Sequence, residues 1–287
     1  MTGGTAGNGF FIAEGLARLG AEVVITGRSR ELGEAARALL PRSGAHRFVR
    51  ADLADPESIA EAADHLGQAG RLDALVMNAG VVAAPPTLRI GPFGVESTVA
   101  TNVLGHADLL RRVMPVLDSS PDARVVSVGS MLTRRIGFDR ANWLAQESYR
   151  PRVAYAMSRH AAEIYGFELD RRLRASGSTI RSVVTHPGGA IDALTPDRPG
   201  VHERSVGLRG AARVLGPLFR RLVHGKDAAS HSAILAVAAA DLPPGAYIGP
   251  SRVASGEPIL TEPVPSSRDA SLGAWLWEEI SSLLPEL

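Results

Sequence analysis

The first sixteen residues, M-T-G-G-T-A-G-N-G-F-F-I-A-E-G-L (1–16), decide the fold of this chain. Gly3, Gly7 and Gly9 stand in the pattern T-G-x-x-x-G-x-G, directly before apolar residues at helical spacing: Phe11, Ile12, Leu16 and Leu19. Glycines allow a tight turn there and let the backbone approach a phosphate at a helix N-terminus. A glycine cluster at the start of a chain is also typical of a flexible tail, but the helix that follows favours the phosphate-binding turn.

A β-branched run over 22–26 predicts a strand, which ends in Gly27, Arg28, Ser29 and Arg30. In dinucleotide-binding folds the end of the second strand faces the adenosine ribose. An acidic residue there binds the 2′-hydroxyl, whereas arginine accommodates a 2′-phosphate. Because the first acid after this strand is Glu31, beyond two arginines and a serine, the sequence favours NADP over NAD.

The alternation of short apolar runs with helical stretches continues along the chain. Strands are predicted at 46–50, 74–77, 124–128, 180–185 and 246–248, and helices at 30–40, 56–66, 95–116, 152–175, 211–222, 226–240 and 267–284. Such alternation predicts an α/β fold, with a doubly wound, mostly parallel sheet covered on both faces. We expect about seven strands in a single domain spanning 1–287, whose ligands bind at the carboxyl ends of the strands.

Tyr155 and Arg159 lie four residues apart in Y-A-M-S-R, one helical turn, so that both side chains point to the same face. A fixed cation beside a phenol favours the phenolate, and such a tyrosine can exchange a proton with a carbonyl or alcohol oxygen. An exposed helix often carries this pair without any function, and its weight here comes from the rest of the chain.

Together these segments resemble the short-chain dehydrogenase/reductase family over essentially the whole chain. The matching motifs are the glycine stretch 2–9, Asp52-Leu53, N-A-G (78–80), Asn102 in T-N-V-L-G, Ser130 in V-V-S-V-G-S, Y-A-M-S-R (155–159) and Pro187-Gly188. The long interval between Ser130 and Tyr155, the stretch F-E-L-D-R-R-L-R-A-S-G (167–177) and the ending G-A-Y-I-G-P (245–250) resemble the branch of bacterial proteins similar to retinol dehydrogenases.

The resemblance implies a role for each matching position. Ser130 would orient the substrate oxygen, Tyr155 would transfer the proton, Asn102 would support a water in the proton relay, and Arg159 would bind the nicotinamide ribose. The cofactor-binding positions it implies are Gly3, Thr5, Gly7, Asn8, Gly9, Arg28, Ser29, Arg30, Asp52, Leu53, Asn78, Ala79, Gly80, Pro187, Gly188 and Asp192.

Three features depart from the family pattern. Arg159 stands where the family has lysine, and a planar guanidinium that stays protonated is not equivalent to an amine. Asp192 stands where a threonine usually holds the nicotinamide carboxamide, and a carboxylate cannot donate to the carboxamide oxygen. The first strand is truncated, since Met1 takes the place of its last residue. We therefore expect either a start upstream or another segment in the gap.

Composition limits the other classes of function. The net charge of +1 gives no electrostatic case for nucleic acid or a membrane surface, and no run reaches the roughly 18 apolar residues of a membrane span. The absence of cysteine and of metal-ligand spacing among eight histidines predicts no metal site. A small-molecule substrate and a cytoplasmic location follow as expectations, and homo-oligomerisation stays open.

Two functions fit these features. The first is an NADP-dependent oxidoreductase that transfers hydride between nicotinamide and an alcohol or carbonyl of an apolar small molecule. The alternative is a redox-inactive family member that binds NADP structurally, or that catalyses a non-redox isomerisation, cyclisation or dehydration. The irregular stretch 188–225 would form a flap on the substrate side of either site.

Overall fold

A computed structural model describes residues 1–199, 201 and 222–286. The longer helices are α1 (Gly7–Arg18), α2 (Arg30–Leu39), α3 (Pro56–Gly67), α4 (Gly105–Asp118), α5 (Pro151–Ala175), α6 (His231–Ala238) and α7 (Ala270–Leu283). The strands are β1 (Val24–Gly27), β2 (Arg47–Arg50), β3 (Ala74–Met77), β4 (Arg124–Val128), β5 (Arg181–Thr185), β6 (Tyr247–Arg252) and β7 (Ser255–Leu260).

The strands form a mostly parallel sheet in two groups. β1 pairs with β2, and the second group has the order β3-β4-β5-β6-β7. All neighbouring pairs are parallel except β6 and β7, which are antiparallel. This confirms the predicted doubly wound α/β fold, and the bounds of β3 and β4 are those predicted from sequence.

The first two residues of the chain lie between the two groups of strands. The amide of Thr2 donates to the carbonyl of Val76 in β3 at 2.9 Å, and the carbonyl of Met1 accepts from Thr26 in β1 at 3.0 Å. Met1 and Thr2 therefore connect β1 to β3 through backbone hydrogen bonds.

Alternate residues of each central strand enter separate apolar layers. Leu75 and Met77 pack into a layer with α3, α4, α5 and α7, whereas Val76 packs into a layer with α1 and α6. This period of two is what a strand buried on both faces requires. The sheet is thus covered by helices on both sides, and in sheets of this kind ligands bind outside the carboxyl ends of the strands.

The end of the chain differs from the sequence prediction. Strand 246–248 was expected to be the last, but β6 continues to Arg252 and turns into the antiparallel β7. The sequence of β7, S-G-E-P-I-L, contains Gly and Pro, which are depleted in strands, and its side chains are mostly exposed. An edge strand of this kind carries little hydrophobic pattern.

Two predicted helices are broken in the structure. The segment 226–240 divides at Ser230 into Lys226–Ala229 and α6, and the segment 267–284 divides into Pro265–Arg268 and α7. The helix predicted at 211–222 and most of the flap predicted at 188–225 lie outside the described residues. Among the residues that are described, no helix has the length and apolarity needed to cross a membrane.

Candidate active site

The glycine loop packs directly against the turn that follows β3. Gly3 has a φ of +65°, and a Cβ built on it would lie 2.9 Å from the Cα of Ala79. A Cβ on Gly9 would lie 2.0 Å from the carbonyl oxygen of Gly3. Any side chain at either position would therefore displace backbone, which explains why glycine stands there.

Helix α1 begins at this loop and presents its N-terminus to the carboxyl edge of the sheet. Its N-cap is Ala6, which has no side-chain acceptor, and its first turn contains no acidic residue. Asn8 donates from Nδ2 to Oδ1 of Asn78 at 3.2 Å, which connects this turn to the N-A-G segment. An uncapped helix N-terminus beside a glycine turn suits an anionic group. The geometry therefore fits the pyrophosphate of a dinucleotide.

The segment after β1 presents two exposed arginines. Neither Arg28 nor Arg30 forms an ion pair with any described residue, and both are exposed. Ser29 is the N-cap of α2, where its hydroxyl accepts from the amide of Leu32 at 3.2 Å. The guanidinium groups are thus available to a phosphate, while Ser29 also has a structural role.

Asp52 and Leu53 follow β2 in a fixed turn. The amide of Asp52 donates to the hydroxyl of Ser58 at 3.0 Å, and its Oδ1 accepts from Ala54 at 3.0 Å. Leu53 is buried, and Gly105 in α4 lies so close that a Cβ there would be 2.1 Å from the carbonyl oxygen of Leu53.

Thr2 organises the N-A-G segment and was not identified from sequence as a site residue. Its Oγ1 accepts from the amides of Asn78 and Ala79, each at 3.0 Å, and is hydrogen-bonded to Nε2 of His106 at 2.9 Å. Burial lowers the pKa of His106 to about 4, so this imidazole is neutral at physiological pH. The threonine of the T-G pattern was the available signal, but its role depends on contacts with distant segments.

Asn102 lies in a π-helical turn, Ala100–Leu104, that precedes α4. Its Oδ1 accepts from the amide of Val81 at 2.8 Å, and its Nδ2 donates to the hydroxyl of Ser158 at 2.9 Å. Asn102 thus connects the loop after β3 to the face of α5 that carries the tyrosine. π-helical turns of this kind are frequent at functional sites.

Ser130 and Tyr155 both reach the carboxyl edge of the sheet. Ser130 follows β4 and begins a short 3₁₀ turn, in which its Oγ accepts from the amide of Leu132 at 3.2 Å. Tyr155 is partly buried near the start of α5, and the guanidinium carbon of Arg159 lies 5.7 Å from the centre of its ring. The predicted cation is therefore beside the predicted tyrosine.

The guanidinium of Arg159 is buried and directed at backbone carbonyls. Nη1 donates to the carbonyl of Val128 at 3.0 Å, and Nη2 donates to that of Ala79 at 3.3 Å and lies 3.5 Å from that of Asn78. Gly80 gives it room, since a Cβ there would lie 2.2 Å from Nη2. Arg159 therefore joins the carboxyl ends of β3 and β4 as well as placing a charge beside Tyr155.

One turn further along α5, Glu163 is a buried carboxyl group that sequence reasoning missed. Its Oε1 accepts from the amide of Ser130 at 3.2 Å and from the hydroxyl of Tyr247 at 3.2 Å. Burial raises the pKa of Glu163 to about 7. Glutamate in the sequence H-A-A-E is ordinary for an exposed helix, so no local signal indicated a buried site.

Asp192, the residue predicted to meet the nicotinamide carboxamide, lies in the segment that follows β5. It begins a short 3₁₀ turn and forms an ion pair with Lys226, whose Nζ would be 3.7 Å from a Cβ on Gly7 of the glycine loop. Pro187 accepts through its carbonyl from Nε2 of His224 at 2.7 Å, and Gly188 has a φ of +71°. Lys226 is thus a cation beside the glycine loop that was not predicted.

Comparison with known proteins decides the family. The family model for short chain dehydrogenase matches residues 1–192. The chain belongs to this family. It is 32% identical over 293 residues to human retinol dehydrogenase 13, an alignment that covers 99% of this chain and 83% of that protein.

Solved structures agree with the short-chain dehydrogenase assignment. An uncharacterised protein from Mycobacterium paratuberculosis has a TM-score of 0.77 and 29% identity, covering 98% of this chain and 91% of that one. A blue fluorescent protein from a metagenomic library, in complex with NADPH, has a TM-score of 0.62 and 26% identity, covering 88% and 95%. The chain is therefore an oxidoreductase of the retinol-dehydrogenase-like branch of short-chain dehydrogenases, a family that uses a nicotinamide cofactor.

Proposed function

We propose that this protein is an NADP-dependent oxidoreductase acting on an alcohol or carbonyl group of an apolar small molecule. The observation that carries the proposal is the convergence of three features on one sheet edge. These are the uncapped N-terminus of α1, the exposed Arg28, and the Ser130–Tyr155 pair. A bound nicotinamide would supply or accept the hydride in this arrangement.

The residues of the chain would bind the cofactor, orient the substrate and transfer the proton. The glycine loop and the N-terminus of α1 would hold the pyrophosphate, and Arg28 with Arg30 would hold the 2′-phosphate. Ser130 would orient the substrate oxygen by a hydrogen bond from its hydroxyl. Tyr155 would donate a proton to that oxygen in reduction, or accept one in oxidation. Arg159 would favour the phenolate through its charge.

The preference for an apolar substrate is supported by the named function of one relative. Human retinol dehydrogenase 13 is named for a long apolar alcohol, and the alignment covers 99% of this chain. We therefore infer that the substrate of this protein is also an apolar alcohol or its aldehyde or ketone.

One observation favours the redox-inactive alternative. Among the described residues, the donor contacts of Arg159 go to the carbonyls of Val128, Ala79 and Asn78. A guanidinium held this way is less free to bind ribose hydroxyls than the lysine of the family pattern. A protein of this kind could hold NADP without transferring hydride.

The two functions are separated by mixing the purified protein with NADPH and a panel of apolar aldehydes and ketones, and by following nicotinamide absorbance. The oxidoreductase predicts NADPH oxidation that Tyr155→Phe abolishes while NADPH binding stays nearly intact. Binding of NADPH without turnover of any carbonyl, and without reduction of NADP by the corresponding alcohols, would support the alternative.

A further inference from the structure

A buried carboxyl group lies behind Ser130 and has no part in the proposed proton transfer. Glu163 is on α5, two turns beyond Tyr155, and its side chain is completely buried. Buried carboxyl groups are costly unless they are hydrogen-bonded, so the contacts of this one are informative.

The contacts of Glu163 converge on the segment that carries the serine. Oε1 accepts from the amide of Ser130 at 3.2 Å and from Tyr247 at 3.2 Å, and it lies 3.5 Å from the hydroxyl of Thr133. Oε2 accepts from the hydroxyl of Ser267 at 2.8 Å.

The carboxyl group also lies directly against the backbone before Ser130. A Cβ on Gly129 would be 2.2 Å from Oε1. The side chain therefore fixes the backbone at 129–130 from behind, while the hydroxyl of Ser130 is at the carboxyl edge of the sheet.

We propose that Glu163 is a positioning residue for Ser130, whose ionised carboxylate holds the backbone at 129–130 and thereby the hydroxyl that orients the substrate. The catalytic part of this inference rests on the proposed function of Ser130. A hydrogen bond to a carboxylate is shorter and roughly twice as strong as one to a neutral group. The loss of the negative charge should therefore loosen this backbone segment without breaking the fold.

The charges around Glu163 leave its ionisation finely balanced. Burial raises the pKa of Glu163 to about 7, although its hydrogen-bond donors and the positive charge of Arg134 act to lower it. His160 on the same helix and His186 after β5 are neutral near pH 7, since burial lowers the pKa of each to about 4. Arg159, one turn earlier, directs its guanidinium at backbone carbonyls.

The two remaining neighbours, Tyr247 and Arg268, do not add a net charge. Burial raises the pKa of Tyr247, so its hydroxyl stays a donor, and Arg268 beside Ser267 pairs with Glu262. Ionisation of Glu163 should therefore change over the roughly two pH units centred on its pKa. The position of Ser130 should follow it.

Two experiments test this inference, and the first needs no cofactor or substrate. The chain contains two Gly-Ser pairs, 129–130 and 177–178. Protein labelled with ¹³C at glycine carbonyls and ¹⁵N at serine therefore gives two selectable serine amide signals. We expect the Ser130 amide proton to move downfield as pH rises through 7, while that of Ser178 stays fixed. In Glu163→Gln neither signal should move. A Ser130 signal that is independent of pH in the parent protein would overturn the proposal.

The second experiment measures kcat/KM for NADPH-dependent reduction between pH 5.5 and 9. The parent and Glu163→Gln should be similar at low pH, and the parent should be about three- to tenfold faster at high pH, as expected for exchanging a charge-assisted for a neutral hydrogen bond. Ser267→Ala removes a donor that favours the carboxylate, so it should move the midpoint to higher pH. The adjacent Ser266→Ala is a matched control, because Ser266 contacts His160 instead.

The outcomes separate the two proposals. A constant ratio of parent to Glu163→Gln across the pH range, or midpoints that are equal in Ser267→Ala and Ser266→Ala, would reduce Glu163 to a structural residue and refute the inference. If the parent protein reduces no carbonyl at any pH, the proposed function fails, and the Ser130 amide titration still decides whether Glu163 holds this segment.

Discussion

The stability of this protein should depend on pH in a way that identifies Glu163 directly. The change is Glu163→Gln, which keeps the size and an acceptor oxygen but removes the titration. Burial moves the pKa of Glu163 from 4.5 to about 7, which corresponds to roughly 3 kcal/mol of free energy. Because the folded pKa is the higher one, the folded state binds more protons between these values. The contribution is fully present below pH 4.5 and is lost as pH rises through 7.

Other buried groups act in the opposite direction. Burial lowers the pKa of His106, His160 and His186 from 6.5 to about 4 in each case. These imidazoles stay neutral in the folded state, so their contribution is present above pH 6.5 and is lost as pH falls through 4. The stability of the parent protein should therefore rise with pH in the acidic range and hide the effect of Glu163.

Subtracting the free energies of unfolding of the parent and the Gln variant at each pH cancels the contribution of every titratable group that the two proteins share. Urea unfolding at half-unit steps from pH 4.5 to 8.5 gives the free energy of unfolding of each, provided that the denaturant slopes agree. We expect the Gln variant to gain about 3 kcal/mol relative to the parent as pH rises from 4.5 to above 7. If this difference changes by less than about 1 kcal/mol over the range, burial does not raise the pKa of Glu163 and the reasoning is wrong.

The remaining predictions concern three cations around the proposed cofactor, Arg28, Lys226 and Arg159. Arg28→Ala should remove a preference for NADPH over NADH of about ten- to hundredfold, measured as a ratio of dissociation constants; equal affinities in the parent protein would contradict the assignment. Lys226→Ala should weaken binding of both cofactors by about fivefold, because its Nζ lies beside the glycine loop, and an effect on NADPH alone would place it at the 2′-phosphate instead. Arg159→Lys should keep or raise the turnover rate but lower the free energy of unfolding by about 1–3 kcal/mol, since an amine cannot reproduce the fork that joins β3 and β4. Arg159→Ala should weaken both NADPH binding and turnover, and an inert parent whose Arg159→Lys variant oxidises NADPH would show a lapsed reductase.

The fold was predictable because its signals are local. The glycine turn, the runs 74–77 and 124–128, and the helical spacing after Gly7 each depend on residues within one element. Ser130 and the N-A-G segment lie at one sheet edge because parallel strands end together. Asn102 and Arg159, on helical segments, contact the residues that follow β3 and the end of β4. The antiparallel β7 was missed because an exposed edge strand with Gly and Pro has almost no pattern to detect.

The site residues missed from the sequence can be recognised only from their contacts in the folded structure. Thr2 acts on residues about 75 positions away in the chain, through hydrogen bonds to Asn78 and Ala79. Lys226 reaches Asp192 and the glycine loop from a segment that carries no recognised motif. A glutamate in a helix is normally a solvent-exposed residue, and only the burial of α5 on both faces shows that Glu163 is not. Sequence patterns report which face of an element is apolar, and they do not report which polar groups meet.

Helix α5 explains why these roles are combined in one short segment. Tyr155, Arg159 and Glu163 follow each other at intervals of four residues, so they form one row along the helix. The row passes the carboxyl ends of β3 and β4, which Arg159 contacts. Glu163 contacts Ser130 after β4 and Tyr247, the first residue of β6. The tyrosine proposed to transfer the proton, its neighbouring charge and the carboxyl group proposed to hold the serine are therefore fixed to one element. A change in the rotation of α5 would displace all three together, whereas the substitutions proposed above change them one at a time.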